Sequence, residues 1–114
     1  MAVLQIVGNQ SGAGKTSLAA ALLVTANAAG KQAAYYKPFS DEPGADPDAA
    51  FVSRLLQSLG GPAVPAPKPL TSSTDAAAMA EVQAEVSKLE SEAGIVIIEG
   101  PDASGHPIEP YASD

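Results

Sequence analysis

A chain of 114 residues is long enough for one compact domain and too short for two, so residues 1–114 are expected to form a single domain. The formal net charge of −7, with six basic residues spread along the chain, argues against a nucleic-acid surface. There is no cysteine for a disulfide or thiolate metal site, which fits a cytoplasmic setting, and no apolar run approaches the roughly 20 residues that span a bilayer.

The first element is an apolar run, Val3-Leu4-Gln5-Ile6-Val7, read as a strand over Met1–Val7 with no basic stretch of a signal peptide before it. Gly8-Asn9-Gln10-Ser11-Gly12-Ala13-Gly14-Lys15-Thr16 follows, and then an Ala/Leu-rich helix to about Ala29. Strand, glycine-rich turn and helix are the setting a phosphate-binding loop needs. Glycines let several backbone N–H groups converge on one anion, and the helix adds the positive end of its dipole. The residues assigned to phosphate are Gly8 through Thr16 together with Ser17. Lys15 would meet the β- and γ-phosphates of ATP, and Thr16 would offer a hydroxyl to Mg²⁺. The spacing is one residue longer than the usual G-x-x-x-x-G-K-[ST], because position 9 is Asn9 and the first glycine is Gly8.

In the first helix, Leu18, Ala21, Leu22 and Thr25 fall at helical spacing and are expected to face inward, with Gly30 as the C-terminal cap. Ala33-Ala34-Tyr35-Tyr36 reads as a second strand ended by Lys37-Pro38, and Ser40–Pro47 as a loop. Asp46-Pro47 opens a second helix that reaches Leu59, with Phe51, Leu55, Leu56 and Leu59 as its apolar side and Gly60-Gly61-Pro62 as its stop. Pro65, Pro67 and Pro69 predict an extended, unpaired connector over Ala63–Thr74. A third helix is expected over Asp75–Ala93, with Met79, Val82, Val86, Leu89 and Ala93 buried and Gly94 as cap. Ile95-Val96-Ile97-Ile98 then forms a buried strand ending in Glu99, and Asp102–Asp114 reads as irregular, so His106 there receives no role. Strands alternating with helices in the order β-α-β-α-α-β predict a three-layer parallel sheet with helices on both faces, a truncated form of a P-loop NTPase-like fold.

Three further residues are candidates for chemistry. Glu99 stands at the carboxyl end of a central strand, where open parallel sheets bind ligands, and could hold Mg²⁺ opposite Thr16 or simply terminate the strand. Lys37 occupies the same end of the second strand, facing either phosphates, a small acidic substrate or solvent. Asp48 lies in the first turn of a helix, where a carboxylate is favoured for electrostatic reasons whether or not it serves a metal.

The long-spaced loop, Tyr36-Lys37-Pro38, Asp46-Pro47-Asp48-Ala49 and Ile98-Glu99-Gly100 resemble, in order and rough spacing, the corresponding motifs of dethiobiotin synthetase-like proteins. The resemblance covers about residues 1–101 and is nearest to the dethiobiotin synthetase-like domains associated with phosphotransacetylases. It implies ATP and Mg²⁺ as cofactors, with Thr16, Asp48 and Glu99 around the metal. It also implies Lys15 and Lys37 as catalytic lysines, Lys15 on the ATP and Lys37 at the phosphate and carbamate end of the substrate. Partition and septum-site ATPases have a second lysine early in the loop, where this chain has Gln10. Phe39-Ser40-Asp41-Glu42 and Pro101-Asp102-Ala103 differ from the substrate-side segments of true dethiobiotin synthetases, and the element order matches only the N-terminal half of that family's domain.

The expected function is therefore an ATP·Mg²⁺-binding domain of a dethiobiotin synthetase-like ATPase or ligase. A non-catalytic module sensing a nucleotide or acyl phosphate, attached to a larger enzyme, is the alternative. A homodimeric assembly role is a third, because a small sheet would leave a bare edge strand.

Overall fold

The computed structural model describes residues 2–6, 13–72 and 74–100. Its elements are β1 (Ala2–Ile6), α1 (Ala13–Ala28), β2 (Ala33–Tyr36), β3 (Phe39–Ser40), α2 (Pro47–Leu59), β4 (Lys68–Pro69), a 3₁₀ turn (Leu70–Ser72), α3 (Ala76–Glu92) and β5 (Ile95–Glu99). β1, β5 and β2 form a parallel sheet in that order, with Leu4 and Tyr35 both opposite Ile97. The last strand among the described residues is thus the middle strand of this sheet. Its β-branched run suits that place, because a central parallel strand is covered on both faces.

Side chains alternate across the sheet and sort the core into two halves. Ala34, Tyr36, Val96 and Ile98 pack on one face against Ala78, Val82, Val86 and Leu89 of α3. Ala33, Tyr35 and Ile97 pack on the other against Ala19, Leu23 and Ala26 of α1 and Val52 and Leu56 of α2. Helices therefore cover both faces, as the alternation of strands and helices predicted. Alanine supplies much of the contact surface and lets the helices lie close to the strands.

The caps are local and follow the sequence. Asp46 accepts the N–H of Ala49 at 2.8 Å, and Pro47 opens α2. Asp75 accepts from Ala77 at 3.1 Å and opens α3. Gly30 (φ 77°) and Gly60 (φ 76°) adopt the left-handed conformation that ends α1 and α2, where a Cβ would be strained.

Five expectations change. The inward face of α1 is Thr16, Ala19, Leu23 and Ala26; Leu18, Ala21 and Thr25 are exposed and Leu22 is half-buried. The helix is apolar almost all round, so periodicity alone does not fix its rotation, and the inward turn of Thr16 does. In α2 the buried residues are Ala49, Val52 and Leu56, while Phe51 is 48% exposed. The cap residue Asp46 is tied to Lys37 at the end of β2, and that tether sets the phase of the helix.

Gly94 does not cap α3. Ala93 does so in extended conformation, donating to the carbonyl of Leu89 at 2.9 Å, and the N–H of Gly94 donates to Gln32. The proline-rich connector is also not wholly unpaired. Lys68 lies between two prolines and donates its N–H to the carbonyl of Pro38 at 2.7 Å, so Lys68–Pro69 runs parallel to Phe39–Ser40. Phe39 and Ser40 are consequently buried as β3, so the expected loop over Ser40–Pro47 loses its first residue to a strand.

Candidate functional site

The carboxyl ends of β2 and β5 and the first turn of α1 meet at one place. Glu99 is the last residue of β5, shares the α1 face with Ile97, and is fully buried. Thr16, buried in the first turn of α1, brings its hydroxyl 3.1 Å from Oε2 and 3.3 Å from Oε1 of Glu99. The Tyr35 hydroxyl donates to Oε1 at 2.6 Å. Among the described residues, the donors on this carboxylate are these two hydroxyls.

A second polar group lies beside it. The Lys37 ammonium, only 4% exposed, donates to Asp46 Oδ1 at 3.0 Å and to Asp48 Oδ2 at 3.0 Å. Ser40 donates to Asp46 Oδ1 at 2.6 Å, while the other oxygen of Asp46 caps α2. One carboxylate thus fixes a helix start, a strand-end lysine and the buried hydroxyl of β3.

Burial governs the protonation behaviour. It raises the Glu99 carboxyl above the ordinary 4.5, and the hydrogen bonds from Tyr35 and Thr16 and the charge of Lys37 offset only part of that rise. Burial and the adjacent Glu99 push the Tyr35 phenol far upward, so it stays a protonated donor. For Lys37 burial acts downward, but the hydrogen bonds to Asp48 and Asp46 outweigh it and hold the amine as a cation. For Asp46 burial acts upward, and Ser40, the Ala49 amide and Lys37 together bring it below 3.8.

The two carboxyl shifts have opposite consequences for stability. A raised carboxyl favours the folded state while it can keep its proton, so the Glu99 contribution falls as pH rises from 4.5 through the folded value. A lowered carboxyl contributes above 3.8, and that contribution is lost as pH falls through the folded value of Asp46. Denaturant titrations across pH should therefore show that Glu99→Gln flattens a decline on the alkaline side of 4.5 while keeping the acid-side loss. A difference curve between wild type and variant with no slope above pH 4.5 would contradict the burial argument.

Of the residues singled out in the sequence, the structure brings Thr16 and Glu99 into contact. It places Lys37 and Asp48 together, with Asp48 turned to the lysine. Gly8, Asn9, Gln10, Ser11, Gly12 and His106 lie outside the described residues. Ala13, Gly14 and Lys15 are described as backbone at the start of α1, and Ser17 is exposed on its next position. No cluster of three or more His, Cys, Asp or Glu side chains is present among the described residues. Sequence reasoning missed Tyr35 and gave Asp46 only a capping role. Tyr35 has the same two-residue parity as Ile97 and Glu99, but that signal becomes readable only once β2 is known to pair with β5.

A family model described as an AAA domain matches residues 2–114. The chain belongs to this family. It is a P-loop NTPase family related to dethiobiotin synthetase, and membership supports nucleotide binding of the NTPase kind. Searches of curated proteins and of solved structures returned no significant match. In a P-loop domain the loop and the first turn of the following helix hold the phosphates, and Thr16 lies in the first turn of α1. No helix among the described residues is long and apolar enough to cross a membrane.

Proposed function

We propose that the chain is the ATP·Mg²⁺-binding domain of a dethiobiotin synthetase-like ATPase or ligase. The observation that carries this reading is the contact between the Thr16 hydroxyl and the buried Glu99 carboxylate at the carboxyl end of a central strand. It supplies a hydroxyl and a carboxylate, both hard oxygen donors, at the first turn of the helix that follows the glycine-rich segment. That donor set fits Mg²⁺, which takes one or two carboxylates plus phosphate oxygens and keeps several waters.

In this reading the backbone amides of Gly8–Ser17 orient the triphosphate. Lys15 neutralises charge on the transferring group. Thr16 and Glu99 would be the residues that hold the metal, with Asp48 as a further carboxylate from the neighbouring helix. Mg²⁺, when bound, neutralises negative charge shared by the β- and γ-phosphates. Lys37 uses two of its three N–H donors on Asp46 and Asp48, leaving one for the γ-phosphate or for an acidic second substrate.

That same engagement of Lys37 favours a second reading, a module that binds nucleotide without turning it over. The two readings separate in a calorimetric titration of ATP with and without Mg²⁺, followed by a single-turnover assay. The proposal expects saturable binding that strengthens with Mg²⁺, and γ-phosphate release or transfer. Binding without turnover would favour the sensing module, and no binding in either condition would overturn both.

A further inference from the structure

Glu99 has three rotatable side-chain bonds, and a metal or water ligand must hold one rotamer. The residue next to Glu99 on β5, Ile98, points to the opposite face, and Ile97 on the same face offers no hydrogen-bonding group. The restraint comes from β2. Tyr35 lies opposite Ile97 in the parallel register, two residues before Glu99 on the same face. Two residues of strand advance by roughly 6.6 Å, a distance of the order of a tyrosine side chain. The phenol therefore runs along the sheet and ends at the carboxylate, where the hydroxyl donates to Oε1 at 2.6 Å.

Both partners are buried, Tyr35 and Glu99 each at 0% exposure, and packing of Tyr35 in the α1–α2 core fixes the ring. With Oε1 held by the phenol, Oε2 is the oxygen nearer to Thr16, at 3.1 Å. We infer that Tyr35 is a positioning residue for metal binding: it pins one oxygen of Glu99 so that the other faces Thr16 and the nucleotide metal. This inference rests on the reading of Glu99 as a metal ligand proposed above. Hydrogen-bond partners of a metal-ligating carboxylate commonly change metal affinity by about 10–100-fold when removed, and Tyr35→Phe deletes this partner while keeping the ring.

The test measures ATP binding in EDTA and, separately, the Mn²⁺ concentration that half-saturates the ATP-bound protein, followed by the electron paramagnetic resonance spectrum of Mn²⁺. For Tyr35→Phe the expected result is ATP affinity in EDTA within about twofold of wild type, Mn²⁺ half-saturation raised about tenfold, and a broadened Mn²⁺ spectrum. A residue that merely supported the fold would weaken both bindings together. Tyr35→p-aminophenylalanine retains a donor at the ring tip and should recover part of the Mn²⁺ affinity; it also serves as the reading variant if Tyr35→Phe does not fold. Wild-type Mn²⁺ binding that Tyr35→Phe retains unchanged, or that the aminophenylalanine variant fails to recover, overturns the role of Tyr35 alone. A wild-type protein whose ATP complex takes up no Mn²⁺ overturns it together with the metal reading of Glu99.

Discussion

Lys15→Ala is expected to weaken ATP·Mg²⁺ binding by about 10–100-fold, the equivalent of one charge-assisted hydrogen bond to a phosphate. Lys15 follows Gly14 in the first turn of α1, one residue before Thr16, whose hydroxyl reaches the Glu99 carboxylate. A triphosphate held there meets three kinds of positive character: loop amides, the helix dipole and the lysine. Only the last is removed by the substitution, so weak residual binding should persist. Alanine is at least as good a helix former as lysine, so the melting temperature of the unliganded protein should hardly change. Calorimetry on both proteins, with thermal melts as control, checks this. Equal affinities in wild type and variant would place the phosphates elsewhere.

Lys37→Met should have the largest effect on stability, about 3–5 kcal/mol, because it leaves the buried Asp46 carboxylate, with the half-buried Asp48 beside it, without a cation. Asp46 is 7% exposed and would keep the Ser40 hydroxyl and the Ala49 amide but lose its counter-charge, with Asp48 still nearby. Against a typical total of about 5–15 kcal/mol, such a loss leaves a substantial unfolded fraction at physiological temperature. Two further outcomes follow from the same charge argument. Lys37→Met combined with Asp46→Asn should recover part of the loss, since the orphaned charge is gone. The single variant should also lose less at acid pH, where Asp46 can take up a proton. Urea denaturation at pH 7 and pH 4 measures both, and a loss below about 1 kcal/mol at pH 7 would mean that solvent screens the pair.

The two predictions draw on different kinds of information. Lys15 was singled out from the chain alone, because the strand, glycines and helix that suggest a phosphate loop are contiguous. Lys37 and Asp48 were singled out as candidates, but their mutual contact was not foreseen. The strand-end lysine and the helix-start acid meet because β3 folds Phe39–Ser40 back against Lys68–Pro69, a pairing that the alternating prolines disguised. Glu99 was legible as the acid closing a β-branched run, and its partner Thr16 was foreseen from the convergence of strand end and loop.

The sequence by itself determined the three α-helices and the three strands of the parallel sheet, most of the helix ends and the alternation that puts helices on both faces. Caps such as Asp46 to Ala49, and left-handed glycines such as Gly60, act over three or four residues, and local chemistry suffices for them. Tertiary structure alone decided which way α1 turns, why Phe51 stays outside, and that Tyr35 reaches Glu99. The turn of α1 and the reach of Tyr35 depend on partners 83 and 64 residues apart, Thr16 and Tyr35 meeting on one carboxylate, while the phase of α2 depends on the Lys37–Asp46 tether. In an alanine-rich helix with apolar residues on nearly every side, burial is almost as favourable at several rotations. The buried polar group that must find its hydrogen bonds is what selects among them.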